Sequence, residues 1–345
     1  MKILRHFITT LDYSQEELDV IIKHALELKN GKINNLTSGK ILGMLFFNPS
    51  LRTRLSFTSG MYKLGGVAID LPVNSTYPFE FKEGVVMDKD KIEHIKEAIP
   101  VISRYCDAIS VRASDLITSS RDSVDVLNWE QSKKDTVIQS FAKYATVPVI
   151  NMESNVWHPC QGLGDAMTIK EKLSNPKGKK YVLTWAYHPK ALPMATANSQ
   201  ILSACDLGMN VEIAYPKGWE LDPEITAAMT QRSTKAGGSF KINNNMEDAM
   251  SGAKIVCVKS WGALKFYGDW KKEKDEKENL KDWIVDAKKM AKTDNGYFMN
   301  CLPVRRNVEV TDDVIDSANS IVIDEAENRM WIQMAILQYV LGEKI

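Results

Sequence analysis

The chain has little that marks a secreted, metal-bound or membrane protein. Five cysteines, Cys106, Cys160, Cys205, Cys257 and Cys301, are scattered over 345 residues with no CxxC pair. That excludes a disulfide framework and a thiolate zinc site, and points to a reducing, cytoplasmic setting. No stretch approaches the roughly 20 apolar residues that span a bilayer. The N-terminal segment Met1–His6 has no apolar core of the kind an export signal needs. Net charge is also missing, because 44 Lys and Arg balance 44 Asp and Glu. A neutral chain offers no broad field for nucleic acid or a membrane surface, so any anion must be held locally. No glycine-rich phosphate loop follows the first apolar run, which argues against a nucleotide-binding α/β protein. Internal repeats are absent too.

What is present is an alternation of short apolar runs and amphipathic segments. Ser14-Gln15-Glu16-Glu17 reads as a capping box. Leu18, Ile21, Ile22, Ala25 and Leu28 follow at helical spacing, and Gly31 stops the helix. Ile41 to Phe47 reads as a buried strand, Asn48 to Leu64 as a polar segment opening a helix, and Val67 to Leu71 as the next strand. Further helices are expected over Glu93–Tyr105 and Thr136–Tyr144. Further strands are expected over Asp107–Val111, Val147–Met152, Tyr181–Trp185, Val211–Tyr215, Ile255–Lys259 and Ser320–Ile323. Strands separated by helix-length segments imply parallel sheets covered on both faces. The expectation is an α/β protein of two doubly wound parallel-sheet domains joined by interdomain helices. These are residues 1–153 and 154–325, with a final helix within 326–345 packing back on the first. The charged run Lys271–Lys277 reads as a solvated loop.

Open α/β sheets bind ligands at the carboxyl ends of their strands. Four groups of residues follow such ends. Ser50-Leu51-Arg52-Thr53-Arg54 places two guanidiniums and two hydroxyls at a helix N-terminus, where free N–H groups and the helix dipole favour an anion. Arginine adds forked donors that match phosphate oxygens. Arg112 ends the Asp107–Val111 strand and reaches toward the same anion. His158-Pro159-Cys160-Gln161 supplies an imidazole that donates to a carbonyl or moves a proton, and an amide that both donates and accepts. Cys301-Leu302-Pro303 follows the apolar Tyr297-Phe298-Met299 and suits a non-covalent role for its loop backbone. For each group the bland alternative is a solvated turn, a capping histidine or a small buried thiol.

In this order, S-x-R-T-R, V-R, H-P-x-Q and C-L-P resemble the aspartate/ornithine carbamoyltransferase family across essentially the whole chain. Within it, the chain looks most like the enzymes that act on N-acetylornithine and N-succinylornithine. The likeness is carried by Phe46–Ser50, Met87-Asp88, Asn151–Glu153, Thr184–Lys190, Lys259–Gly262, Cys301–Asn307 and Asp324–Arg329. The resemblance implies transfer of the carbamoyl group of carbamoyl phosphate to the side-chain amine of an Nα-acylornithine, a step of arginine biosynthesis. It implies no cofactor, no metal and no covalent intermediate. It also implies a homotrimer with active sites shared between subunits.

By motif match, Ser50, Leu51, Arg52, Thr53, Tyr77, Arg112, His158, Gln161, Cys301, Leu302 and Arg329 would hold carbamoyl phosphate. Arg112, His158, Gln161 and Cys301 would form the catalytic set. Glu153, Lys259 and Leu302 would face the acylornithine. Relatives that take plain ornithine carry an Asp-containing D-x-x-x-S-M-G loop for its free α-amine, and Val258–Gly262 here has lysine instead. A free α-ammonium would meet a like charge there, whereas an acylated substrate would not. Ordinary ornithine carbamoyl transfer and a non-catalytic carbamoyl-phosphate-binding relative are the alternatives.

The acyl group stays open between acetyl and succinyl, turning on Ile92, Lys190 and Glu309. Acetyl enzymes have glutamate at the position of Ile92, and an uncharged residue there accepts a succinyl carboxylate, to which Lys190 and Lys259 are candidate partners. Glu309 stands where acetyl enzymes have lysine, and it returns a carboxylate that would favour acetyl. Site chemistry leans to succinyl, whole-chain likeness to acetyl. Tyr77 replaces the tryptophan of a loop that reaches a neighbouring subunit, and Asn300 replaces the histidine of the usual H-C-L-P.

Overall fold

The computed structural model describes residues 4–33, 37–115 and 127–342; the first three residues of the Met1–His6 segment lie outside them. The chain divides into two compact units. Unit 1 is Met1–Ser120, Glu130–Cys160 and Arg329–Ile345, and unit 2 is Arg121–Trp129 and Gln161–Asn328. Each is built on one parallel sheet, so the fold is the doubly wound α/β class.

The sheet of unit 1 has the order β2-β1-β5-β6, with β1 at Ile41–Phe46, β2 at Val67–Pro72, β5 at Ala108–Arg112 and β6 at Val149–Glu153. A two-residue parallel pair, β3 (Phe79–Glu80) with β4 (Glu93–His94), stands apart from it. β1 and β6 are almost wholly buried, as near-continuous apolar runs between two helical layers should be. Helix α1 (Gln15–Lys29) starts on the capping box read from the sequence. The Ser14 hydroxyl accepts from Glu17 N–H, and the Glu17 carboxylate accepts from Ser14 N–H. Helices α2 (Arg52–Lys63) and α4 (Thr136–Tyr144) come after β1 and β5 of this sheet, and α3 (Ile95–Tyr105) leads from β4 into β5. Leu45, Ile95, Ile99, Ile109, Val111, Ile138, Phe141 and Val149 form one core cluster among them.

The sheet of unit 2 has the order β11-β10-β7-β8-β9, with β7 at Lys180–Thr184, β8 at Asn210–Ala214, β9 at Ser239–Asn243, β10 at Ile255–Val258 and β11 at Tyr297–Met299. Helices α5 (Pro159–Lys172), α6 (Ala195–Asp206) and α7 (Pro223–Ala236) accompany it. Gly162 on α5 lies against α6: a Cβ there would meet the Ser199 carbonyl oxygen at 2.5 Å. Only glycine allows that approach.

Three expectations need correction. Ser320–Ile323 is not a strand, because it makes one isolated bridge, Phe298 to Ser320, and then enters helix α9 (Val322–Val340). Its run of apolar residues is the first turn of a buried helix, which periodicity alone does not separate from a strand. Two strands of unit 2 are not among those expected: the three-residue β11, and β9, whose half-exposed edge residues Ser-Phe-Lys-Ile-Asn carry no continuous apolar signal. The charged run is not a loop. It forms helix α8 (Trp270–Lys277), in which Glu273 and Lys277 are buried and paired at 2.8 Å.

Candidate active site

The topology of each sheet fixes where a ligand can sit. In unit 1 the chain runs from β1 outward to β2 on one side and to β5 and β6 on the other, so the strand order reverses between β1 and β5. Crevices at such reversals, at the carboxyl ends, are where doubly wound sheets bind ligands. Phe46, the last residue of β1, is in register with Arg112, the last of β5. Phe47 N–H donates to the Arg112 carbonyl at 2.9 Å. Ser50–Thr53 begins three residues further on and opens α2. The structure therefore brings the sequence-predicted Ser50, Leu51, Arg52, Thr53 and Arg112 to one sheet end.

Within that group the roles divide. The Ser50 hydroxyl accepts from Thr53 N–H at 3.2 Å and caps the helix start. The buried Thr53 hydroxyl accepts from Arg329 Nη2 at 2.7 Å, which brings the arginine of α9 to the same helix start. Arg54 does not join them. Its guanidinium stacks 3.9 Å from the centroid of the Phe46 ring and pairs with Asp70 of β2. Leu51 is exposed. Arg112 forms a buried ion pair with Glu153 at the end of β6, beside a register shift between the two strands. Tyr77 and Ile92 are exposed on the segment around β3 and β4, Ile92 at 59%.

His158 and Gln161 flank the start of α5, and both are buried. The turn before His158 is braced by side chains that sequence reasoning missed. Asn151 Nδ2 donates to the Ile8 and Trp157 carbonyls and to the Ser154 hydroxyl. Asp135 accepts from the Ser154 hydroxyl at 2.6 Å and from Asn155 N–H at 2.7 Å. Burial raises the Asp135 carboxyl to about 7 against these hydrogen bonds. Asp135 itself has φ 49°, a left-handed conformation that Asp tolerates better than most residues. That tolerance was the only signal of its role in the sequence.

Unit 2 shows the same logic. Its strand order reverses between β7 and β10, where Thr184 and Val258 are in register and Lys259 N–H donates to the Thr184 carbonyl at 3.1 Å. Lys259 thus lies at the switch point. Glu309 is buried near it. Its carboxylate accepts from Arg305 N–H at 2.7 Å; burial raises its pKa, and Lys259 pulls it down. His188, in the loop after β7, accepts from Arg305 Nε at its Nε2, 2.9 Å away, and its Nδ1 lies 2.9 Å from the Lys190 carbonyl. Lys190 N–H also points at Nδ1, 3.1 Å away; a neutral ring with its proton on Nδ1 satisfies the Arg305 and Lys190 carbonyl contacts and leaves that N–H unserved by the ring. Burial, opposed by the Lys190 carbonyl and helped by Arg305, Lys259 and Lys277, lowers His188 to about 4. The Lys190 side chain is exposed.

The Cys301 loop is held from one position. Asn300 Nδ2 donates to the Val258 carbonyl at 2.9 Å, and its Oδ1 accepts from Leu302 N–H at 2.8 Å. One amide therefore ties the residue before Lys259 to Leu302, whose φ of 50° is costly for a branched aliphatic residue. Cys301 is buried.

Together these are two parallel-sheet units, each presenting cationic and amide groups at its switch point: a group-transfer enzyme of the transcarbamylase kind. The chain belongs to the aspartate/ornithine carbamoyltransferase family. Residues 5–171 match the aspartate/ornithine carbamoyltransferase carbamoyl-P binding domain, and residues 193–340 match the Asp/Orn binding domain. It is similar to N-acetylornithine carbamoyltransferase of Xanthomonas campestris pv. campestris, 44% identical over 99% of this chain and 98% of the relative. It is also similar to N-succinylornithine carbamoyltransferase of Bacteroides fragilis, 37% identical over 94% of this chain and 95% of the relative. Among solved structures it resembles acetylornithine transcarbamylase complexed with acetylcitrulline, with TM-score 0.93, 44% identity, and 99% of this chain and 100% of that one covered. A variant of N-acetyl-L-ornithine transcarbamylase, with a glutamate replaced by valine and complexed with carbamyl phosphate and N-succinyl-L-norvaline, matches at TM-score 0.93 and 44% identity over 98% of this chain and 100% of that one.

Proposed function

We propose that the protein transfers the carbamoyl group of carbamoyl phosphate to the side-chain amine of an Nα-acyl-L-ornithine, and that N-succinylornithine is its preferred acceptor. The observation that carries the transfer is the register of β1 against β5, which sets Arg112 beside the Ser50–Thr53 helix start. In this reading unit 1 takes the phosphate through Ser50, Arg52, Thr53 and Arg329, and unit 2 takes the acylornithine through Lys259 and Leu302. The amine nitrogen bonds to the carbamoyl carbon, the bond from that carbon to the phosphate oxygen breaks, and inorganic phosphate leaves with the proton that the amine nitrogen gives up. Negative charge grows on the carbonyl oxygen as the amine attacks, and Arg112, Thr53 and His158 donate to it. The α2 N-terminus and Arg52 offset the charge of the departing phosphate. The attacking amine resembles lysine, with a free pKa near about 10.4, so activity rises with pH through neutrality.

Lysine at position 259 supports an acylated substrate over ornithine. Ile92 supports succinyl over acetyl: it puts an exposed, uncharged side chain where the acetyl enzymes have glutamate, and a neighbour with glutamate replaced by valine is complexed with a succinyl compound. Whole-chain identity favours acetyl, and keeps N-acetylornithine as the second reading. We extend the reading to a homotrimer. β2 is an edge strand whose Val67 and Ile69 are exposed along with Leu55, Tyr62 and Tyr77 of unit 1, and a second copy of the chain would cover them. The free, buried cysteines support a reducing cytoplasmic setting.

Carbamoyl phosphate labelled at its carbon tests the proposal. Label should pass to the acylornithine with release of one phosphate per carbamoyl. Phosphate release without labelled product would refute it.

A further inference from the structure

The Gln161 side chain is 1% exposed and its amide nitrogen serves two carboxyls at once. Nε2 donates to Asp165 Oδ1 at 2.7 Å and to Glu325 Oε1 at 3.0 Å. Asp165 is one helical turn further along α5, on the same face of the helix. Both carboxyls are buried and both accept more. Gln200 Nε2 donates to Asp165 Oδ2 at 2.7 Å, and Asn300 N–H donates to Glu325 Oε2 at 2.9 Å. The close approach of α5 to α6 at Gly162 brings Gln200 within reach. The groups acting most strongly on Glu325 are its own burial, Asp165 and Cys301, and all of them disfavour its charge. Two adjacent carboxyls in such surroundings do not both ionise.

We infer that Asp165 and Glu325 hold one proton between them and act as positioning residues for Gln161. They lock its amide with the NH2 toward the pair and Oε1 turned away, as the acceptor for an N–H donor of the ligand. The reverse orientation would set Oε1 against two carboxyl oxygens that share a single proton, and would leave the NH2 without either acceptor. Oε1 is buried and has no partner among the described residues. A buried carbonyl oxygen left so calls for a donor, and a ligand N–H supplies one. On the reading above, which this inference rests on for the ligand alone, that donor is the carbamoyl NH2. The pair also reaches the Cys301 loop, since Glu325 holds Asn300 N–H while the Asn300 side chain holds Val258 and Leu302. A single proton thus sets both the direction of the Gln161 amide and the place of the loop.

Infrared difference spectroscopy at pH 8, wild type minus Glu325→Gln, tests the proton without needing activity. A carboxylic-acid C=O stretch in the wild type that is lost in the variant is expected. Its absence from the wild type means two ionised carboxylates and overturns the inference. Kinetics test the positioning. Glu325→Leu removes one of the two acceptors of the Gln161 NH2 together with the acceptor of Asn300 N–H, and the KM for carbamoyl phosphate should rise by about tenfold, the effect of one lost hydrogen bond. Glu325→Gln keeps a donor toward Asp165 and one acceptor, and should restore most of that loss. A folded Glu325→Leu enzyme with unchanged KM overturns the positioning role. Absence of turnover in the wild type would instead refute the proposed function and leave the infrared result to decide the proton.

Discussion

The buried pair Glu273–Lys277 gives the sharpest test of how unit 2 is held together. The two side chains are one helical turn apart on α8, 2.8 Å from each other, with 1% and 3% of their side-chain surface exposed. Glu273 also accepts from Ala263 N–H at 3.2 Å, four residues beyond Lys259. Burial raises the Glu273 pKa, and Lys277 opposes that rise. Replacing Lys277 by methionine keeps the length of the side chain and removes its charge, so Glu273 is left buried without compensation. Breaking one partner of a buried pair costs about 3–5 kcal/mol. At roughly 2–4 °C per kcal/mol for units of this size, the unfolding midpoint should fall by about 10 °C. The second replacement, Glu273→Leu on the Lys277→Met background, removes the stranded charge and should recover most of the loss. Calorimetry of wild type, both single variants and the double variant closes the cycle. The KM for the acylornithine should follow stability in the single variants, because Ala263 anchors the Lys259 loop. A Lys277→Met protein within about 1 kcal/mol of wild type, the range of an exposed pair, would refute the argument that the Glu273–Lys277 pair is buried.

Three further outcomes follow from the site. Thr53→Val removes the hydroxyl that accepts from Arg329. A hydrogen bond to a charged group is worth about 1.5–3 kcal/mol, so the KM for carbamoyl phosphate should rise by about tenfold or more, read from initial rates. Ile92→Glu should shift the kcat/KM ratio from N-succinylornithine toward N-acetylornithine, and an unmoved ratio would remove Ile92 from the specificity argument. His188 is held at about 4, below its unfolded value of 6.5, so between those pH values the unfolded chain binds more protons. Its contribution to stability is therefore full above pH 6.5 and falls as pH drops toward 4. Thermal unfolding from pH 7 to 4.5 should show a shallower slope in His188→Gln than in wild type.

The parts legible in the sequence were those with a local cause. The capping box at Ser14 and Glu17, the buried run of β1 and the Arg-rich start of α2 each follow from neighbouring residues, and the structure has them there. Edge elements were not legible. β9 has one half-exposed face and β11 only three residues, so neither gives a periodic signal. The α8 helix was hidden because seven of its eight residues are charged, and nothing local shows that Glu273 and Lys277 turn inward. Arg54 looked like a phosphate ligand by composition, yet its position on α2 turns it to Asp70 and Phe46. The Gln161–Asp165–Glu325–Asn300 network joins residues up to 164 positions apart. Its members are polar residues in helices and loops, which a one-dimensional pattern assigns to solvent.

The most direct test of the central claim is kcat/KM of the purified protein, with carbamoyl phosphate, for N-succinylornithine, N-acetylornithine and ornithine side by side. Turnover of the acylated substrates with the succinyl compound first, and none of ornithine, is the predicted result. Turnover of ornithine alone would contradict the reading of Lys259 and with it the proposed substrate.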